Sequence, residues 1–320
     1  MVTVNVKSTK WQGTATSQGG QQYTSPFELA NDYAYRQWRE QKLAAYPRHI
    51  NELIVNVNDI NRLTSEEHTA LQCLCRKTNM AIYKSREALA SKDALQDVCG
   101  AFGLNRLDKN LYADDDGISA LQVSAVKRKY DYIPYSNNAI RWHTDGYYNT
   151  LDNQIQAMVL HCVSPALEGG ENALLDHEMV YLLMRDASPD YIAALMQPDV
   201  MTIPANIENG VEIRALQTGP VFSINTMSGD LQMRYTARTK SIHWKQDDTV
   251  QRAVSYLGEL LNSDLPAVFR YRLGRNEGIL SNNVLHSRTK FKDGAFGADQ
   301  RLIYRARYYD RMYGTGMLER

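Results

Sequence analysis

The sequence predicts a mainly β chain with helical elaboration, built on a double-sheet jelly-roll core with N-terminal and inserted helices. Short strand-like runs separated by turn residues fill the chain after about residue 117, and amphipathic helical patterns concentrate in the front third. The composition agrees: 320 residues, 43% hydrophobic and 22% charged, carry enough apolar mass for a large core. No Pro/Gly/Ser linker follows residue 25, so 25–320 is expected to be a single domain behind a flexible N-terminal arm, 1–24.

Ser25-Pro26-Phe27-Glu28 reads as a capping box with proline at the first helical position, opening a helix that runs to about Ala45 and ends before Pro47. Glu52 to Val57 reads as a strand. Thr64-x-x-Glu67 caps a helix carrying Cys73 and Cys75, Met80 to Lys84 is a strand, and a helix lies near Asp93 to Phe102. Strand-like runs follow at Gly117–Ser124, Gln154–Val163, Val200–Pro204, Val211–Leu216, Val221–Asn225 and Leu231–Thr236. Helical patterns interrupt them at Asp176–Met196, broken at Ser188-Pro189, and at Asp248–Leu261. Val268–Leu273, Gly278–Leu285 and Arg301–Tyr309 close the chain, with Gly274–Gly278 as a hairpin loop.

Lys plus Arg (36) balance Asp plus Glu (36), so no global field draws the chain to nucleic acid or an anionic membrane. No apolar run approaches the length of a membrane span, and the polar Met1–Gln22 has no signal-peptide core; a cytoplasmic location is expected. Four cysteines are too few for a disulfide scaffold and are expected to be reduced. Whether the chain forms a homo-oligomer is left open by its pattern.

Of seven histidines, only His143 is followed two positions later by a carboxylate, in Arg141-Trp-His-Thr-Asp-Gly-Tyr-Tyr148. Residues two apart on an extended segment point to one side, so His143 and Asp145 can aim at a common point. His286, after Gly278–Leu285, is a candidate third ligand, and two histidines plus one carboxylate are the facial set of non-haem Fe(II) oxygenases. His161, His177 and His243 lack partners at useful spacing and are read as non-ligands.

His143-x-Asp145, the turn Gly169-Gly170-Glu171-Asn172, His286 and the strand Arg301-Leu-Ile-Tyr-Arg305-Ala-Arg307 together resemble the TauD/TfdA family of Fe(II)- and 2-oxoglutarate-dependent dioxygenases. The resemblance covers about 131–310 and implies a double-stranded β-helix, cupin-like core. It makes His143, Asp145 and His286 the iron ligands. It gives the far carboxylate of 2-oxoglutarate to Arg305, with Arg301 second, and places Asn172 where the family hydrogen-bonds the cosubstrate. A guanidinium inside a barrel needs such a carboxylate. The longer gap from His286 to Arg305 implies an insertion in 291–300.

Retention of Asp145 implies hydroxylation rather than halogenation, with O2 consumed and succinate and CO2 released. Arg234-Tyr235 is similar to a pair in amino-acid hydroxylases, and the arginine-rich end is similar to CsiD-type glutarate hydroxylases. A small carboxylate-bearing substrate is therefore expected, anchored by Arg234, Arg238 or Arg307 and walled by Tyr147 and Tyr148. A silent jelly-roll metal-binding protein and a cupin-like isomerase or hydrolase would carry the same ligands; dependence on 2-oxoglutarate separates them.

Overall fold

The computed structural model describes residues 25–108, 117–123, 133–238, 242–294 and 300–319; the expected arm, 1–24, lies outside them. Two sheets face each other. The larger is built from β1 (Ile54–Val57), β2 (Met80–Ser85), β3 (Ser119–Leu121), β5 (Ala157–Ser164), β8 (Glu277–Ser281) and β10 (Leu302–Tyr308), in the order β1-β2-β8-β5-β10-β3. The smaller has β4 (Ile140–His143), β6 (Asn172–Leu175), β7 (Phe269–Tyr271) and β9 (Leu285–Arg288), in the order β7-β6-β9-β4.

Side-chain alternation divides the core. Met80 and Ile82 of β2, Met158 and Leu160 of β5, Ile279 of β8 and Ile303 of β10 meet Leu174 and Phe269 in the space between the sheets. The intervening residues, among them Tyr83, Val159, Leu280, Ala306 and Tyr308, face outward under helices α2 (Ser65–Thr78) and α3 (Ala94–Ala101). A third cluster joins α1 (Asp32–Ala45), α4 (His177–Ala187), α5 (Pro189–Leu195) and α6 (Asp248–Asn262) to the short strands of 201–233. The result is mainly β with helices, as the strand and helix patterns predict.

The Thr64 box forms as expected: Glu67 N donates to Thr64 Oγ1, and the Glu67 carboxylate accepts from Thr64 N. The helical pattern also breaks at Pro189 as read. Three expectations are corrected. Helix α1 starts at Asp32, capped by Asn31, whose side chain accepts from Ala34 N. Ser25 donates its hydroxyl to Gly229 O, and Phe27 turns into the core against Trp38 and Tyr181, so 25–30 form turns instead. Gly278–Leu285 is two strands in different sheets, parted at Asn282-Asn283, where Asn283 takes a left-handed φ of 49°. Consequently 274–278 links one sheet to the other and is no hairpin between paired strands.

The glycine pair turns as required, Gly169 and Gly170 both having positive φ (71° and 73°). A Cβ on Gly169 would also stand 2.2 Å from Lys290 O. Gly169→Ala is expected to cost about 1–3 kcal/mol from backbone conformation alone, read as a fall in the chemical denaturation midpoint; an unchanged midpoint would contradict the turn geometry. Of the cysteines, Cys73 is exposed and Cys75, Cys99 and Cys162 are buried, all as free thiols.

Candidate metal centre

Strand β4 ends on His143, and the chain beside it is stitched in place. Thr144 N donates to Tyr235 O, Tyr235 N to Thr144 Oγ1, and Ala237 N to Trp142 O, so the Arg234-Tyr235 segment runs along β4. On the other side, antiparallel pairing sets His286 of β9 directly opposite His143. The two rings have centroids 4.2 Å apart, and His143 Nε2 is 3.7 Å from Asp145 Oδ1. All three side chains are buried, with one ligand-type atom from each lying within 4.8 Å of the others. Among the described residues this is the one such set of three. The sequence pattern singles out these three residues; cross-strand register brings the two histidines together, and Asp145 joins them from just beyond the end of β4.

The donor set fits a metal ion. The Nδ1 atoms of His143 and His286 sit 2.9 and 3.0 Å from the carbonyls of Arg141 and Val284. A carbonyl accepts only, so each Nδ1 carries the proton and each Nε2 keeps a free lone pair. Asp145 Oδ2 is buried without a hydrogen-bond partner among the described residues. Burial pushes the His143 imidazole down to about 3, with His286 adding to the effect against Asp145. Burial also lowers His286. Both rings are therefore neutral at neutral pH, and the 3.7 Å approach is a gap between two ligand atoms rather than an ion pair. Burial would raise Asp145, but Arg305 first, then Arg307 and the histidines, outweigh it and hold the carboxyl far below its usual range.

The arginines of the last strand face inward together. Arg305 and Arg307 share the inner face of β10 with Ile303, opposite Leu160 and Met158 of β5. Their partners differ. Arg305 lies 3.3 Å from Asp145 Oδ1. Arg307 is bound by the Asp108 carboxylate and donates to Tyr148 Oη at 2.9 Å. Burial would lower Arg307, but Tyr148, Asp145 and Asp108 outweigh it and raise it. An ion pair within the chain thus occupies Arg307, one of the three expected substrate anchors.

Arg301 sits instead in a small cavity with Gly170, Asn172, Arg272, Leu273 and Ile303. Its NH1 is buried without a partner, and burial pushes it down to about 10. Beside it is Arg288, which sequence reasoning missed although it stands two residues after His286 on the same face of β9. Its guanidinium and that of Arg301 both lie over the Phe291 ring, at 4.8 and 5.0 Å. Burial, then Arg301, lowers Arg288 to about 9. Asn172 pairs with Arg288 in register, donating to Tyr271 O at 3.4 Å.

Arg234 is buried and lines a second cavity with Asp145, Gly146, Tyr147 and Gln154. One of its nitrogens donates to Met201 O at 2.8 Å; Nε and NH1 have no hydrogen-bond partner, and burial brings the group down to about 10. Arg238 is exposed and bonds Tyr147, whose ring meets Tyr148 edge-on at 5.1 Å. Of the histidines read as non-ligands, His161 bonds Tyr83 Oη at 2.8 Å and His177 bonds Leu231 O at 3.1 Å.

The family model described as "Taurine catabolism dioxygenase TauD, TfdA family" matches residues 43–307. The chain belongs to the TauD/TfdA family. Enzymes of that family use Fe(II), 2-oxoglutarate and O2. A uridine-5'-phosphate dioxygenase from a Streptomyces species is 34% identical over 115 residues, which span 35% of this chain and 39% of that relative. Solved structures share the fold at low identity. Asparagine oxygenase superposes with a TM-score of 0.54 at 12% identity, covering 90% of this chain and 86% of its own. The non-haem iron oxygenase OrfP gives 0.57 at 14%, covering 78% and 82%. PvcB of Pseudomonas aeruginosa gives 0.53 at 16%, covering 80% and 84%. Among the described residues, no helix is long and apolar enough to cross a membrane.

Proposed function

We propose that this TauD/TfdA chain hydroxylates an unactivated C–H bond of a small carboxylate-bearing molecule, within a double-stranded β-helix core formed by the six- and four-stranded sheets. The observation that carries it is the donor set: two imidazoles with Nδ1 tied to carbonyls and Nε2 free, beside a buried carboxylate oxygen with no partner. His143, Asp145 and His286 would hold Fe(II). When bound, iron and 2-oxoglutarate supply the oxidising chemistry, with O2 consumed and succinate and CO2 formed.

The chain's own residues bind and orient. Arg305 keeps Asp145 ionised and aimed. Arg301, with Asn172 and Arg288 alongside, would take the far carboxylate of 2-oxoglutarate. This assigns the cosubstrate to Arg301 rather than Arg305, because Arg305 already pairs with a carboxylate whereas Arg301 has a buried NH1 without a partner among the described residues. The spacing agrees: the Asn172–Arg288 pair lies two residues from the Leu174–His286 pair, about 7 Å along the strand, within the reach of a short diacid. Arg234, buried beside Asp145 without a carboxylate partner among the described residues, would take the anion of the substrate, with Tyr147 as a wall. Arg307 orients Tyr148, whose ring packs on Tyr147, and Arg238 acts through Tyr147.

The structural neighbours whose names specify asparagine and arginine derivatives support an amino acid. A second reading, a nucleoside monophosphate, is favoured by the relative named for uridine-5'-phosphate, since a buried guanidinium accepts phosphate as readily as carboxylate. Succinate release across amino acids, dicarboxylates and nucleoside monophosphates separates the two. Arg301→Ala is expected to raise the KM for 2-oxoglutarate roughly 100-fold, the effect of unpairing a buried charge. Arg305→Ala should act mainly on kcat and metal retention; equal KM effects would refute the assignment.

A further inference from the structure

One side chain ties together the two segments that bring in the ligands. Asn283 is buried three residues before His286, and its carboxamide spans the Asp145 peptide. Its Oδ1 accepts from Asp145 N at 2.8 Å, while its Nδ2 donates to Asp145 O at 2.9 Å and to Ile155 O at 2.7 Å. Both polar atoms of the Asp145 backbone are thus bonded to a residue on the strand-to-strand link that delivers His286.

The backbone of Asn283 is specialised for this. Its φ of 49° lies in the left-handed region, which asparagine tolerates better than most residues, and it marks where the chain leaves the six-stranded sheet for the four-stranded one. Its neighbour Asn282 is equally buried but bonds elsewhere, to Asn79, Thr315 and the Met312 backbone. The two asparagines therefore separate the work of the link. One anchors the C-terminal segment; the other holds a candidate ligand.

Cross-strand pairing fixes His143 against His286 but does not reach Asp145, which lies beyond the end of β4. Arg305 contacts only the carboxylate, at one oxygen. The peptide carrying that carboxylate is held by Asn283.

We propose that Asn283 is a positioning residue for the metal centre, setting the distance and direction of Asp145 relative to His286 through its carboxamide. The proposal rests on the assignment of His143, Asp145 and His286 as ligands, and its test keeps the two apart. Asn283→Gly is the informative variant, because glycine adopts the same φ without strain and removes only the carboxamide. Outer contacts of metal ligands are typically worth 10–100-fold in affinity, so Co(II) and Mn(II) should bind roughly 10–100-fold more weakly to this variant, measured calorimetrically without cosubstrate. The ligand-field spectrum of its Co(II) form should shift or broaden as Asp145 loses its fixed direction.

Asn282→Ala serves as the stability control. It is expected to lower the melting temperature while leaving Co(II) affinity and spectrum at wild-type values. If wild type binds no metal, or Asp145→Ala binds as well as wild type, the ligand assignment fails. If both of those behave as expected and Asn283→Gly retains wild-type affinity and spectrum, the positioning role is overturned. It is overturned equally if Asn282→Ala weakens Co(II) binding as much as Asn283→Gly does.

Discussion

Asp145→Ala should abolish the visible charge-transfer band that Fe(II) and 2-oxoglutarate give with the wild-type chain under anaerobic titration, and turnover should disappear with it. The loss goes beyond one ligand. Arg305 and the Asp145 carboxylate are both buried and 3.3 Å apart, so the alanine variant leaves a guanidinium without its counter-charge beside two histidines. Metal affinity should therefore fall by well over the 10–100-fold typical of changes one shell further out. His286→Ala should remove the band without unpairing Arg305, and so should cost less stability than Asp145→Ala. A wild-type band in either variant would remove that residue from the ligand set.

Lys42→Met should produce the largest change in stability. Its ammonium sits on the inner side of α1, 2.6 Å from Asp176 Oδ2, 2.6 Å from Glu178 Oε2 and 2.9 Å from Lys77 O. The three side chains are at most 4% exposed. Methionine fills the space but removes the ammonium that meets both buried carboxylates, and removing one partner of a buried pair costs about 3–5 kcal/mol. For a chain of this size that corresponds to a fall of roughly 5–7 °C in Tm. Adding Glu178→Gln to Lys42→Met should recover part of the loss, because one of the two buried charges that the ammonium met disappears. A Tm within about 1–2 °C of wild type for Lys42→Met would show that water reaches the carboxylates. Asp176 also caps α4, through Glu178 N, and accepts from Asn79, so the penalty falls where α1, α2 and α4 meet.

How much of this was legible in the sequence depends on the range of the contact. His143-x-Asp145 could be read because extended chain places i and i+2 on one side, and the Thr64 box because its partners are three residues apart. The inward parity of Arg305 and Arg307 follows from the same period of two. Arg288 is equally open to that rule, standing two positions from His286 on one face of β9. Asn283 and Lys42 are different. Their partners lie 138 and 136 residues away, and no local pattern marks an asparagine that spans a distant peptide or a lysine that enters a core. The Ser25 box failed for a related reason: a long-range bond to Gly229 O and the burial of Phe27 outweighed a local signal that Asn31 supplied equally well at the true start of the helix.

The inner face of β10 works as a reading frame. Ile303 packs in the core while Arg305 and Arg307 point at charged partners, and the side-chain period of two assigns every position between them. Deleting Tyr304 would swing both guanidiniums onto the face now occupied by Ala306 and Tyr308, among the apolar residues under α2 and α3. A change of length ahead of Leu302 turns no side chain of the ladder over. The stretch before the strand can thus change length without changing the face that either guanidinium takes, whereas the spacing from Ile303 to Arg307 cannot.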